Sequence, residues 1–219
     1  MIFLTLIVRC HMKSEWIKDR KKTFRQLDKD IECDVLIVGA GLSGLLCAYQ
    51  LQNHFERIVL IESDTICSGA SGRSTGKITS QHGLNYQDIY KIHGKDKTRL
   101  YYEENEQAIF KIESIIKEYN IECDFKRKDA IVGCKSKYLE NKISQEINIY
   151  NICDMPYEII RNEYDITKGF KVKNQASFDP YQFCIQLANH LNIEIYEHTP
   201  MMQIHDHAIK TRQHIIRYE

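Results

Sequence analysis

A chain of 219 residues with 43% hydrophobic side chains can bury the core of one domain or a domain and a half. Its 30 basic and 30 acidic residues cancel, which excludes the electrostatic footprint of a nucleic-acid or anionic-membrane binder. With 3 prolines and 10 glycines it carries no long linker, and no low-complexity tract or internal repeat is visible. The 8 cysteines show no C-x-x-C and no metal spacing, and several fall at apolar helix or strand positions (Cys47, Cys184). They read as free thiols in a reducing, cytoplasmic compartment.

Residues 1–32 form a lead-in. The apolar run Ile2–Val8 is far shorter than the ~20 residues of a spanning helix. It has neither a basic region before it nor a small-residue cleavage site after it. No membrane partner is expected, and 1–11 reads as an extension ahead of a start at Met12. Residues 12–32 are polar with single anchors at Trp16, Ile17, Phe24 and Leu27, an extended stretch on the domain surface.

The next segment, 33–83, opens with Asp34-Val-Leu-Ile-Val38, a β-branched run of the kind buried on both faces of a parallel sheet. Gly39 ends it. Leu42–Asn53 carries Leu45, Leu46, Ala48, Tyr49 and Leu51 at helical spacing, and the apolar strand Ile58–Ile61 closes on Glu62. A strand, helix and parallel strand in so short a span cross over right-handed, the first half of a doubly wound sheet. Residues 63–83, SDTICSGASGRSTGKITSQHG, are a Gly/Ser/Thr-rich loop.

Residues 84–192 read as a helical and antiparallel insertion, a partial second domain. Lys95–Tyr119 is a long amphipathic helix with Tyr101, Ala108, Ile112, Ile115 and Tyr119 on one stripe. Residues 121–135 alternate like a strand pair, 137–150 suggest a charged surface helix, and Phe170–Ala176 another strand. Phe178-Asp179-Pro180 starts a helix through Leu191, with Asp179 as N-cap and Pro180 at its first position. Residues 193–219 return to the nucleotide-binding sheet through the strand Ile193–Tyr196 and two strand-like segments around 201–205 and 208–217. The fold class is α/β: a doubly wound, Rossmann-like domain with a partial antiparallel-sheet domain inserted.

Gly39-Ala-Gly41-Leu-Ser-Gly44 fits G-x-G-x-x-G. Alone that pattern is weak; here it follows an apolar strand, opens a helix and is answered by an acid at the next strand's end. Gly39 permits the tight turn, Gly41 lets backbone approach a pyrophosphate, and Gly44 lets helix and strand pack closely. The helix N-terminus offers free N–H groups and a positive dipole end to phosphate. Glu62 at the second strand's end suits ribose hydroxyls and repels a 2′-phosphate, which disfavours NADP. The loop Ser68–Lys77 presents backbone N–H groups, hydroxyls and the cations Arg73 and Lys77, suited to a second pass along a diphosphate. That favours FAD over NAD.

Together, DVLIVGAGLSGLLCAYQL, IVLIES and SGASGRSTGKITSQHG resemble the FAD-dependent D-amino-acid oxidase and glycine oxidase superfamily. The R-S-T-G-K-x-T-x-Q-H-G wording and the Trp16 lead-in look most like bacterial members that also carry a Rieske iron–sulfur domain. The resemblance covers about residues 14–205. It implies Leu42 and Ser43 on the pyrophosphate and Glu62 with Ser63 on the ribose. It places Ala70, Ser71, Thr75, Gly76 and Lys77 along the pyrophosphate towards the isoalloxazine, and Met201 at the adenine by its backbone. The implied substrate is an amine or amino acid, oxidised by hydride transfer to the flavin. Members of the family continue with a further strand, more substrate-domain strands and a Gly-Asp segment beside the flavin, which 219 residues do not include. The alternative is therefore a catalytically silent FAD-binding fragment, or half a protein needing a partner chain.

Other candidates are bland. His82 is a flavin neighbour or a solvated histidine, and His205, His207 and His214 lack metal spacing. No catalytic base or nucleophile stands out.

Overall fold

In the computed structural model, which describes residues 14–17 and 24–219, the chain enters a sheet earlier than its sequence suggests. The Ile2–Val8 run, Cys10 and Met12 lie outside the described residues. Strand β1 (Ile31–Cys33) falls inside what reads as lead-in. Three residues with a charged Glu32 in the middle carry too little periodicity to stand out, yet Ile31 and Cys33 are buried. Next come β2 (Val35–Val38), α1 (Leu42–Leu51) and β3 (Ile58–Ile61), with a short 3-10 turn at Ser71–Arg73. All four residues of β3 are buried, as an uninterrupted Ile-Val-Leu-Ile run in a parallel sheet requires.

The chain divides into two compact units, one made of the residues up to Ser74 with Pro180–Glu219, the other of Thr75–Asp179. The second unit contains β4 (Lys77–Ile78), α2 (Tyr86–Glu118), β5 (Lys126–Cys134), α3 (Lys137–Ile152), β6 (Glu158–Ile160) and β7 (Lys168–Ser177). Its boundaries differ from 84–192 for two reasons. Strand β4 pairs with the end of β7, which draws 75–83 in, whereas the helix after Asp179 packs on α1. Strand β7 pairs antiparallel with β4, β5 and β6. The 121–135 segment thus supplies one long strand rather than a pair.

Helix α2 breaks at Gly94, whose φ of +76° is open to glycine. Past the break its buried stripe is Thr98, Tyr102, Ile109, Ile112 and Ile115, while Tyr101 and Ala108 face out. Helix α3 is less of a surface element than its charges suggest, burying Ile143, Glu146, Ile149 and Tyr150. The core of this unit is aromatic, with Tyr86, Tyr102, Tyr150 and Phe170 meeting edge-on or tilted. The buried Glu146 carboxylate accepts from the Tyr86 and Gln87 amides at 3.0 and 3.1 Å, closing the N-terminus of α2.

Back in the first unit, α4 (Pro180–His190) begins at Pro180 as expected. Strands β8 (Glu194–Tyr196), β9 (Gln203–His205), β10 (Ala208–Lys210) and β11 (Ile215–Tyr218) follow. Only β8 rejoins the parallel sheet, in the order β2-β3-β8, with Val38, Ile61 and Tyr196 in register. The rest of 193–219 makes a separate sheet, β1-β11-β10-β9, in which β1 and β11 run parallel. Leu36, Val59, Ile61 and Tyr196 share a core with Ile31, Ile209 and Ile216 of that second sheet.

Cys33, Cys67, Cys123, Cys134, Cys153 and Cys184 are buried free thiols, but Cys47 is exposed, on the solvent side of α1. Burial pushes the thiols of Cys33 and Cys123 up to about 11.

Candidate functional site

The glycine turn joins β2 to α1. Gly39 adopts φ +101° and donates its N–H to Ile61 O at 2.8 Å, anchoring the turn to β3. A Cβ on Gly44 would stand 1.9 Å from Gly39 O, so α1 sits on the turn only because this position is bare. Gly41 has ordinary φ, and a Cβ there would meet Ser71 Oγ at 2.9 Å. Gly41 is the N-cap residue of α1 and offers no side-chain cap. The first-turn amides are left to an outside acceptor. One acceptor is in place: Ser71 Oγ takes the Leu42 N–H at 3.0 Å. A hydroxyl that accepts from an amide keeps its own proton to give to an anion.

Glu62 stands beside this turn. Its Oε2 accepts from the Ala40 amide at 2.8 Å, and Oε1 from Ser63 Oγ and the Asp64 amide, both at 2.9 Å. A carboxylate offers about four lone-pair positions. Three donors leave room for a hydroxyl, and the solvent-exposed Ser63 hydroxyl can exchange for another.

The glycine-rich loop is tied back to the same place. The Cys67 amide donates to Ala40 O at 3.0 Å, and the 3-10 turn brings Ser71 to Leu42. Ala70 and Arg73 are exposed on this turn. The lead-in holds it from outside: Ser14 Oγ donates to Gly72 O, and Trp16 Nε1 to Ser74 O at 2.9 Å. Gly39, Gly41, Leu42, Ser43, Gly44, Glu62, Ser63, Ala70, Ser71 and Arg73 therefore belong to one unit, gathered at the carboxyl ends of β2 and β3.

Thr75, Gly76 and Lys77 fall in the other unit, where Gly76 O accepts the Phe178 amide and Lys77 opens β4. Met201 is exposed between β8 and β9. The segment leading to it does reach Glu62, through Thr199 N–H to Glu62 O at 2.8 Å and His198 N–H to Asp64 O at 2.9 Å.

Two residues escaped the sequence reading. Glu197 is fully buried, accepting from the Ile66 amide at 2.8 Å and the Phe24 amide at 3.0 Å, which joins the lead-in to the turn after Glu62. A single acid after an apolar strand gives no sign of that in sequence. Thr65 Oγ1 is buried without a hydrogen-bond partner among the described residues. In the second unit, His82 Nδ1 lies 3.1 Å from Tyr101 Oη, and burial followed by the charge of Lys77 lowers its pKa. No cluster of metal-ligating side chains occurs among the described residues.

Residues 34–217 match the family model described as DAO, FAD dependent oxidoreductase. The chain belongs to that family of FAD-dependent oxidoreductases. FAD is the family's cofactor.

Among curated proteins, the chain is 33% identical over 208 residues to YhfW of Bacillus subtilis, named as a Rieske 2Fe-2S iron–sulfur protein. That match takes in 87% of this chain and 41% of YhfW. Among solved structures, glycine oxidase from Geobacillus kaustophilus superposes with a TM-score of 0.70 at 16% identity, over 86% of this chain and 54% of that one. L-amino acid deaminase from Proteus vulgaris gives a TM-score of 0.64 at 17% identity, over 91% and 48%. At such identities the structures establish a shared fold. The chain spans about half the length, or less, of these relatives.

The residues present fit the adenosine diphosphate half of FAD. An uncapped helix start has amides to offer a phosphate, the Ser71 hydroxyl has a proton to give, and the Glu62 carboxylate has acceptor capacity left. Among the described residues no helix is long and apolar enough to cross a membrane.

Proposed function

We propose that the first unit holds FAD and that the chain serves an oxidoreductase acting on an amine or amino acid. The observation that carries this is the convergence of the uncapped α1 start, Ser71 and Glu62 at the carboxyl ends of parallel strands. Gly41, Leu42, Ser43 and Ser71 would take the pyrophosphate with Ala70 beside them, and Glu62 with Ser63 the ribose. The backbone near Met201 would take the adenine. Thr75, Gly76 and Lys77 would continue towards the isoalloxazine, with Arg73 and Lys77 balancing phosphate charge. When bound, FAD supplies a ring nitrogen that accepts hydride from a carbon bearing an amine, which is oxidised to an imine. The protein's part is to fix position and to offer N–H groups and hydroxyls to the diphosphate. The names of the glycine oxidase and the L-amino acid deaminase support a small substrate with an amino group.

The test is anaerobic addition of glycine, D- and L-amino acids and simple amines to the FAD-loaded chain. Bleaching near 450 nm by one of these classes supports the reading. A flavin that binds but is never reduced favours a second reading, a FAD-holding module that turns over only with another polypeptide. The chain spans 41% of YhfW and 54% of the glycine oxidase.

A further inference from the structure

We infer that the lead-in is a positioning element of the nucleotide site, with Trp16 fixing the loop that carries Ser71. The inference rests on the FAD reading of the first unit, to which both segments belong. The loop needs restraint. It passes through Cys67, a buried residue with φ +58°, a left-handed conformation that a side chain keeps only where its surroundings impose it. The 3-10 turn that follows closes on itself by two long bonds. Arg73 N–H reaches Ala70 O at 3.2 Å, and Ser74 N–H reaches Ser71 O at 3.3 Å.

The lead-in grips the residues just after Ser71. Ser14 Oγ gathers the Trp16 and Ile17 amides at 3.1 and 3.2 Å and donates to Gly72 O. Trp16 Nε1 donates to Ser74 O at 2.9 Å. Gly72 is bare for this contact: a Cβ there would stand 2.1 Å from Cys67 O and 2.8 Å from Ile17 Cδ1. With Gly72 and Ser74 tied, Ser71 Oγ is kept 3.0 Å from Leu42 N, the place from which it would donate to a phosphate. The lead-in is also tied on the Glu62 side. Phe24 N–H reaches Glu197 Oε2 at 3.0 Å and Leu27 N–H reaches Thr199 Oγ1 at 3.2 Å, while Thr199 N–H binds Glu62 O at 2.8 Å. One polar segment thus holds both the loop proposed for phosphate and the segment proposed for ribose. Held in advance, they lose less freedom when the ligand binds, and the ligand leaves more slowly.

The test compares the full chain with Trp16→Ala and with Trp16→Phe, which keeps a ring but removes the N–H. All three should share one circular dichroism spectrum. Without flavin, hydrogen exchange at the Arg73 and Ser74 amides should be at least tenfold faster in Trp16→Ala, with Trp16→Phe between it and the parent. With FAD, release followed by flavin fluorescence should quicken at least tenfold in Trp16→Ala. If Trp16 acts through Ser71, the Trp16→Ala/Ser71→Ala pair should release FAD within threefold of Ser71→Ala alone. A parent chain that holds no flavin would overturn the FAD reading and this inference with it. A parent that holds flavin, with exchange and release unmoved by Trp16→Ala or with the two substitutions additive, would overturn the inference alone.

Discussion

The Glu62 carboxylate accepts a hydrogen bond from the Ala40 amide at 2.8 Å, so the acid that ends β3 is fastened to the glycine turn that ends β2. The bond sets the group proposed to read the ribose and the turn proposed to hold phosphate at a fixed spacing before any ligand arrives. Such preorganisation reduces the ordering cost of binding. Replacing Glu62 by Gln should weaken FAD binding roughly 10–100-fold, the loss of a charge-assisted interaction of about 1.5–3 kcal/mol. Fluorescence titration of the flavin measures it. Affinity within threefold of the parent would remove Glu62 from the site.

Two glycines of one motif should behave differently. A methyl group at Gly44 meets backbone oxygen at 1.9 Å and cannot be relieved by a rotamer change. Gly44→Ala should cost about 3 kcal/mol or more in urea unfolding of the first unit. A methyl group at Gly41 meets only Ser71 Oγ, which can turn away. Gly41→Ala should therefore leave stability within about 1 kcal/mol and show its effect on FAD affinity. Equal destabilisation by both would contradict this division of roles.

Glu197 should prove structural. Glu197→Ala strands the buried amide of Ile66 and the half-buried amide of Phe24, at a cost of about 3 kcal/mol. The same loss should release the lead-in, read as faster protease cleavage before Leu27. Unchanged cleavage would mean that the lead-in is held elsewhere.

The second unit carries a pH signature. Burial raises the pKa of Glu146, against the lowering effect of the Tyr86 and Gln87 amides. A carboxyl whose folded value lies above its ordinary 4.5 favours the fold in its protonated form. Its contribution is fully present below that ordinary value and is lost as pH rises through the raised one. The stability of the parent relative to Glu146→Gln should therefore fall as pH rises from below 4.5 towards neutrality. A difference that rises with pH would reverse the sign of the argument.

The parts legible in sequence were those with strong local patterns. Val35–Val38, Leu42–Leu51 and Ile58–Ile61 announced themselves by continuous apolar runs around a glycine turn, and Asp179-Pro180 by a helix start. What stayed hidden depends on distant partners. Strand β1 exists because Ile31 and Cys33 lie against Ile216 and Tyr218, far along the chain. In α2, Ile112 and Ile115 are buried as read, but the first half of the stripe runs through Tyr102 and Ile109, the neighbours of Tyr101 and Ala108, which their apolar or aromatic character alone does not separate. Glu197 matters through the backbone amides of Ile66 and Phe24, which no sequence pattern displays.

The central claim is that the first unit is a FAD site selective for a free ribose 2′-hydroxyl, and one competitive titration tests it most directly. The full chain is titrated with FAD, NAD and NADP, with Gly41→Val in parallel. The account predicts FAD tightest and NADP weakest, with no flavin retained by Gly41→Val, whose branched side chain enters the space between the turn and Ser71. NADP binding tightest, or a full complement of flavin on Gly41→Val, would contradict it.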